Sequence, residues 1–74
     1  MKPRQQHYIA LLCLRDLAWM AAQVVAGHPH ALHLAADMWC HYEATLSTIT
    51  DDDARILLIV GAVPYASYFD GMTL

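Results

Sequence analysis

The sequence predicts an all-α fold, a small three-helix bundle formed by one domain over residues 1–74. Two observations predict it. Apolar residues recur at helical spacing, and proline or glycine stands where helices would begin or end. We expect a long helical hairpin, a third apolar helix packed along it, and a short C-terminal turn.

The first helix is expected to begin near Pro3, because proline is tolerated in the first helical turn, and to run to about Ala26. Gly27 suits the left-handed conformation in which many helices end. Apolar residues cover more than half of this helix. The remaining polar side carries Arg4, Gln5, Tyr8, Arg15, Asp16, Trp19 and Gln23.

A second helix is expected to start with Pro29 in its first turn and to run through His30 to about Ser47. Placing residues at 100° intervals divides it into two faces. The predicted apolar face contains Leu32, Ala35, Trp39, Tyr42 and Leu46. The polar face contains His30, His33, Asp37, Cys40, His41 and Thr48.

The third helix is expected to be capped by Thr50, with Asp51–Asp53 near its positive end. Residues Ala54–Val63 are apolar on every side after Arg55, which predicts a buried helix. Its β-branched residues also permit a buried strand. A lone strand would have nothing to pair with unless a second copy supplied it, so helix is the preferred interpretation.

Pro64 is expected to break or kink the third helix. Residues 65–69 would then form one more turn, carrying Tyr65, Tyr68 and Phe69, before a flexible ending over residues 70–74.

The composition predicts that apolar surface remains exposed on a single copy. Hydrophobic residues make up 58% of the chain and charged residues 15%, whereas soluble domains usually contain about 45–50% and about 25%. A small bundle cannot bury so many apolar side chains, so we expect two copies to share an interface as a homodimer.

The charge argues against binding to nucleic acid. The formal net charge is −3, and the four basic residues are Lys2, Arg4, Arg15 and Arg55. These are too few to neutralise a run of phosphates.

Cysteine usage favours a reduced, cytoplasmic location, since Cys13 and Cys40 are too few for a disulfide framework and lack CxxC spacing. No uncharged apolar stretch reaches the roughly 18 residues that a membrane span requires. Attachment to a membrane surface is also disfavoured, because interfacial helices usually carry many basic residues. No membrane partner is therefore expected.

Four histidines lie near the start and along the polar face of the second helix. His33, Asp37 and His41 follow one another at intervals of four residues, and His30 lies one turn earlier. Such stacked imidazoles and a carboxylate could bind zinc or another divalent metal. The plainer interpretation is a solvated helix face that needs no cofactor.

Tyr8, Arg15, Trp19 and Gln23 lie along one strip of the first helix and combine residue types enriched at binding hot spots. We predict that this strip binds a partner protein, with Trp19 as its anchor. Alternatively, the third helix or the turn over residues 65–69 covers Trp19 within the same chain.

Catalysis finds little support in the sequence. Ser47 and Ser67 have no base at a useful spacing, and Cys13 lies on an apolar helix face without an activating neighbour. No glycine-rich phosphate loop is present. The expectation is a protein that is not an enzyme and needs no cofactor.

Together these features predict a small interaction module. It would be a homodimeric accessory or inhibitory regulator, of the size and style carried by bacteria and their phages, that binds a larger partner protein and alters its activity. The alternative is a metal-binding helical protein that uses His30, His33, Asp37 and His41.

Overall fold

The helices lie close to where the sequence places them. A computed structural model describes residues 2–69 and contains α1 (Pro3–Val25), α2 (Ala31–Thr48), α3 (Asp52–Ala66) and a 3-10 helix (Ser67–Phe69). No strand occurs within residues 2–69. The all-α prediction is confirmed, while the expected ending over residues 70–74 lies outside the described residues.

The end of α1 forms as predicted. Gly27 has a φ of 69°, and its N–H donates to the carbonyl of Val24 while the N–H of His28 donates to the carbonyl of Gln23. This pair of bonds is a Schellman motif, in which the left-handed residue satisfies the last helical carbonyls.

The start of α2 differs from the prediction. The helix begins at Ala31, and Pro29 and His30 lie before it. His30 is the N-cap residue and has a φ of 64°, a left-handed conformation that cannot continue as a right-handed helix. The connection over residues 27–30 therefore reverses the chain through two left-handed residues, which sequence spacing does not reveal.

The buried side of α2 differs from the prediction at one position. Ala35 and Tyr42 are buried, as expected, and Trp39 and Leu46 pack against the core. Leu32 is exposed, because Ala31, one residue earlier, takes the buried position at this end of the helix. The predicted inward position of Leu32 is wrong.

Asp51, rather than Thr50, caps α3. Its side chain accepts a hydrogen bond from the backbone N–H of Ala54 at 3.0 Å, and Asp52 and Asp53 lie in the first turn. Carboxylates stabilise this positive end of the helix. The predicted acidic start is confirmed, and the capping residue is shifted by one.

Pro64 does not break α3, which continues to Ala66 before the 3-10 helix. A proline removes one backbone donor, and here it does so less than one turn from the end of the helix. Phe69 is fully buried and stacks on Trp39, with ring centroids 5.2 Å apart. This packing holds the final turn against α2.

The three helices are held together by α1, which packs along both α2 and α3, whereas α2 and α3 make few contacts with each other. Gly61 permits the close approach of α3 to α1, because a side-chain carbon at this position would lie 2.5 Å from the Cδ1 atom of Leu14. Since α1 alone packs along α3, only one side of α3 is buried. The prediction that α3 is buried all round is wrong.

A buried glutamine joins the beginning of α1 to the beginning of α3. Gln6 is only 3% exposed, and its Oε1 atom accepts hydrogen bonds from the backbone N–H groups of Thr50 at 2.7 Å and Asp51 at 2.8 Å. Its Nε2 atom donates to the Thr50 hydroxyl at 3.1 Å. One carboxamide therefore fixes the connection between α2 and α3 against α1.

Arg55 secures the other side of the same connection. Its Nη1 atom donates to the carbonyls of Leu46 at 2.9 Å and Ile49 at 3.0 Å. These carbonyls lie at the end of α2, where backbone carbonyls no longer have an N–H partner within the helix. Ile49 itself is buried between them and the core.

Replacing Gln6 with leucine is expected to lower the free energy of unfolding by about 1–3 kcal/mol, because two backbone donors lose their acceptor. Urea denaturation followed by circular dichroism measures the change. Gln5→Leu is the matched control, since Gln5 is exposed and its side chain accepts a hydrogen bond from the Lys2 N–H at the start of α1, so the change should lower stability by a smaller amount, about 0.5 kcal/mol. Equal stability of both variants would contradict the role given to Gln6.

Candidate functional site

The predicted binding strip lies on the exposed side of α1, and its Trp19 end adjoins Ala31 and Leu34 of α2. Tyr8 is 64% exposed and Trp19 is 57% exposed. Arg15 is also exposed, and Gln23 is half-buried. Neither α3 nor the final turn covers Trp19, so both aromatic side chains stand at the surface of the isolated chain.

The strip borders three shallow hollows rather than one deep pocket. Tyr8 lines a hollow of about 550 Å³ with Arg4 and Ile9. Trp19 and Gln23 line another of about 230 Å³, and Arg15 lines a third of about 210 Å³. A row of open hollows along a helix suits an extended contact with a protein surface better than an enclosed site for a small molecule.

Arg15 contacts the neighbouring Asp16, with 3.3 Å between Nη2 and Oδ1. The Arg15 side chain is largely exposed, and an ion pair in such a position contributes little to stability. Its guanidinium therefore remains able to form a stronger pair with a carboxylate on another molecule.

A second exposed surface was not predicted from the sequence. Ile56, Ile59, Val60 and Val63 form the aliphatic face of α3, and their exposed fractions range from 45% to 68%. Leu58 and Ala62, on the opposite side of the helix, are buried. The spacing of residues 56, 59, 60 and 63 places their side chains on one side of the helix. In an all-apolar helix, however, the sequence does not say which side faces solvent.

The four residues of the predicted metal site are all exposed. His30 precedes α2 in a left-handed conformation and so does not continue the helical row. His30 and His33 line an open hollow with His28, whereas His41 lines another with Arg15 and Asp16. Metal binding by His30, His33, Asp37 and His41 stays a prediction.

Within the described residues, a different group brings potential metal ligands together. One ligand atom each from His7, Asp51 and Asp53 lies within 4.8 Å of the others. The Oδ2 atom of Asp51 already contacts His7 Nε2 at 3.1 Å and the N–H of Ala54. A cation here would also face the positive end of α3. The geometry favours a helix cap, and sequence reasoning did not single out His7.

Cys13 is buried beneath α2. Burial raises the pKa of its thiol, and the charge of Asp16 raises it further, against the opposing effect of a hydrogen bond with Thr45. The group is therefore held as a neutral thiol at neutral pH, which does not suit a nucleophile. Cys40 is exposed on α2.

By length and composition, α1 is the described helix that could cross a membrane, and 28% of the relevant segment is buried in the bundle. Any such segment includes Arg15 and Asp16, so two charged side chains interrupt it. Core helices of soluble proteins and signal sequences have the same length and hydropathy as membrane spans. These two properties therefore do not distinguish among the three kinds of helix.

Comparison with protein-family models, curated proteins and solved structures finds no match to this chain. The fold and its exposed residues therefore define only a class, a small three-helix protein with large hydrophobic side chains exposed on all three helices of the described residues.

The two thiols should react at very different rates. Cys40 is exposed and Cys13 is buried with a raised pKa, so a disulfide reagent at pH 7.5 should modify one thiol per chain quickly and the second only after unfolding in urea. A Cys40→Ser variant should show no fast reaction. Rapid modification of Cys13 in the folded variant would contradict its burial.

Stability should fall as the pH rises above about 9. The pKa of Cys13 is raised from 9.0 and that of Tyr42 from 10.0 mainly by burial, so above these values the unfolded chain releases protons that the folded chain retains. Urea midpoints measured between pH 7 and 10.5 test this. Cys13→Ala should remove the part of the decline that begins near pH 9, and an unchanged profile would contradict it.

Proposed function

We propose that this chain is a protein-interaction module, a homodimeric accessory or inhibitory regulator that binds a larger partner through the outer strip of α1. The strip comprises Tyr8, Arg15, Trp19 and Gln23. The observation that carries the proposal is the exposure of Trp19, an aromatic side chain that the rest of the bundle leaves uncovered. Tryptophan and arginine are the residue types that most often dominate binding energies.

The distribution of charge supports a partner with an acidic surface. Lys2, Arg4 and Arg15 are three of the four basic residues and lie at or within α1, whereas residues 31–53 contain five acidic residues and no Lys or Arg. The outer side of α1 is thus the basic side of a chain with net charge −3. A partner would offer a pocket for Trp19 with carboxylates placed for the arginines.

The open shape of the strip also favours a protein over a small ligand. Tyr8 and Trp19 are 11 residues apart on one helix, which corresponds to roughly 16 Å along its axis. Small molecules are usually held in concave sites that bury most of their surface. An extended helix face instead matches the way in which helices dock into grooves on larger proteins.

A photo-crosslinking amino acid placed at position 19 tests the proposal in lysate of the native host. We expect one discrete crosslinked product, identified by mass spectrometry, that is absent when the same probe replaces Leu32. Leu32 is the matched control because its side chain is at least as exposed as that of Trp19 but lies on α2. Equal crosslinking of the same protein at both positions would contradict a specific role for the strip.

Trp19→Ala is then expected to weaken binding of the purified partner by about 2 kcal/mol, or roughly 30-fold, as hot-spot tryptophans do. The free energy of unfolding should change by no more than about 0.5 kcal/mol, because the side chain is exposed. Isothermal titration and urea denaturation measure the two quantities, with Leu32→Ala as the control. Unchanged affinity, or a clear loss of stability, would overturn the assignment of Trp19 as an anchor.

A further inference from the structure

We propose that two copies of this chain pair through the aliphatic face of α3, with the two α3 helices antiparallel. This inference depends on the proposed function only for the dimeric state, since the face lies on α3 and the partner strip on α1. It names the surface and the orientation of the pairing.

The spacing of the aliphatic face suits helix pairing. Ile56, Ile59, Val60 and Val63 occupy positions i, i+3, i+4 and i+7, so their side chains form one stripe over two turns. All four are β-branched, with restricted rotamers that lose little freedom on packing. A two-fold axis places the same stripe on both copies, which makes the contact self-complementary.

The exposed area of the face supplies a large part of what a specific dimer requires. With exposed fractions of 45–68%, the four side chains present on the order of 400 Å² of apolar surface, an area typical of functional patches on monomers. Counted from both copies this is about 800 Å², roughly two-thirds of the 1,200 Å² at which specific interfaces begin, which indicates a weak, reversible pairing. The remainder would come from side chains at the margin of the face.

An apolar hollow supplies such a margin. It has a volume of about 510 Å³, and Pro64, which follows Val63 of the face in the chain, is one of its lining residues. Val25 of α1 and Tyr68 of the 3-10 helix line it, together with Ala18, Ala21, Ala22, Ala26 and Tyr65. Its lining contains no charged side chain, so the uncovered apolar surface extends beyond the four central residues.

The charges at the helix ends determine the orientation. Asp51, Asp52 and Asp53 stand together at the start of α3, and parallel pairing would place two such clusters side by side. Antiparallel pairing separates them by roughly 20 Å, the length of the helix. It also brings each acidic end near Ser67 of the other copy and sets the helix dipoles in opposition, which is the favourable arrangement.

Pairing through α3 leaves the binding strip free on both copies. Gly61 and Leu58 mark the side of α3 that faces the bundle, and the aliphatic face lies on the other side of the helix. The dimer would therefore present two Trp19 side chains. A partner with two matching sites would bind more tightly than one copy alone allows.

Solution mass measured by light scattering from 1 to 300 µM tests the pairing. The chain has a mass of 8.3 kDa, and we expect the average mass to rise toward twice this value with concentration. Val60→Glu should stay monomeric across the range, because it would bury a carboxylate in the interface. Leu32→Glu, the matched control on α2, should dimerise like the unchanged chain.

The orientation is tested by disulfide trapping in a Cys40→Ser background. Ile56→Cys and Val63→Cys are prepared separately, mixed and oxidised gently. Antiparallel pairing should trap the mixed dimer of the two variants, and little dimer should form from either variant alone. Efficient trapping of Ile56→Cys with itself would overturn the antiparallel arrangement.

Two outcomes would overturn the pairing itself. One is a monomeric mass for the unchanged chain throughout the concentration range. The other is binding of the monomer to phosphatidylcholine vesicles in a flotation assay that Val60→Glu abolishes, which would assign the face to lipid. Retained crosslinking at position 19 in the Val60→Glu variant would show that the partner strip stands independently, so the two proposals can fail separately.

Discussion

The rest of the structure depends on the hydrogen bonds between the Gln6 carboxamide and the connection that joins α2 to α3. They join residues 44 and 45 positions apart, and they satisfy backbone donors that would otherwise lack a partner at the start of α3. Arg55 holds the carbonyls on the other side of the same connection. The direction in which α3 leaves α2, and hence its position along α1, follows from these polar contacts.

This geometry makes α1 the shared element of the fold. Its residues Leu17 and Met20 are almost completely buried, while α2 and α3 make few contacts with each other. The 3-10 helix after α3 reaches α2 where Phe69 stacks on Trp39. A chain of this length has too little mass to cover all of its apolar surface. The outer side of α1 and the outer side of α3 are two of the uncovered parts, besides Leu32 and Leu34 on α2, and their chemistry differs. One combines aromatic and basic residues, and the other is purely aliphatic.

That difference suggests a division of roles between the two surfaces. A purely aliphatic stripe offers burial without directional contacts, which suits pairing between identical helices. The strip on α1 combines the aromatic side chains of Tyr8 and Trp19 with the exposed guanidinium of Arg15, a combination that gives both affinity and discrimination between partners. His33 and His41 on α2 are exposed, which is compatible with a solvated helix face.

The sequence by itself determined the helical class, the third-helix position, and the end of α1 at Gly27, because spacing, proline and glycine act through local backbone geometry. It also placed Tyr8 and Trp19 on one strip, since helical periodicity needs no tertiary information. Only the tertiary structure decided that Gln6 is buried, that His30 precedes α2, that Leu32 faces outward and that half of α3 is uncovered. Gln6 lies on the same helical line as Ala10, Cys13 and Leu17, which could have marked it as inward. Its partners, however, are backbone groups more than forty residues away, and an all-apolar helix gives no sign of which side its neighbours will cover.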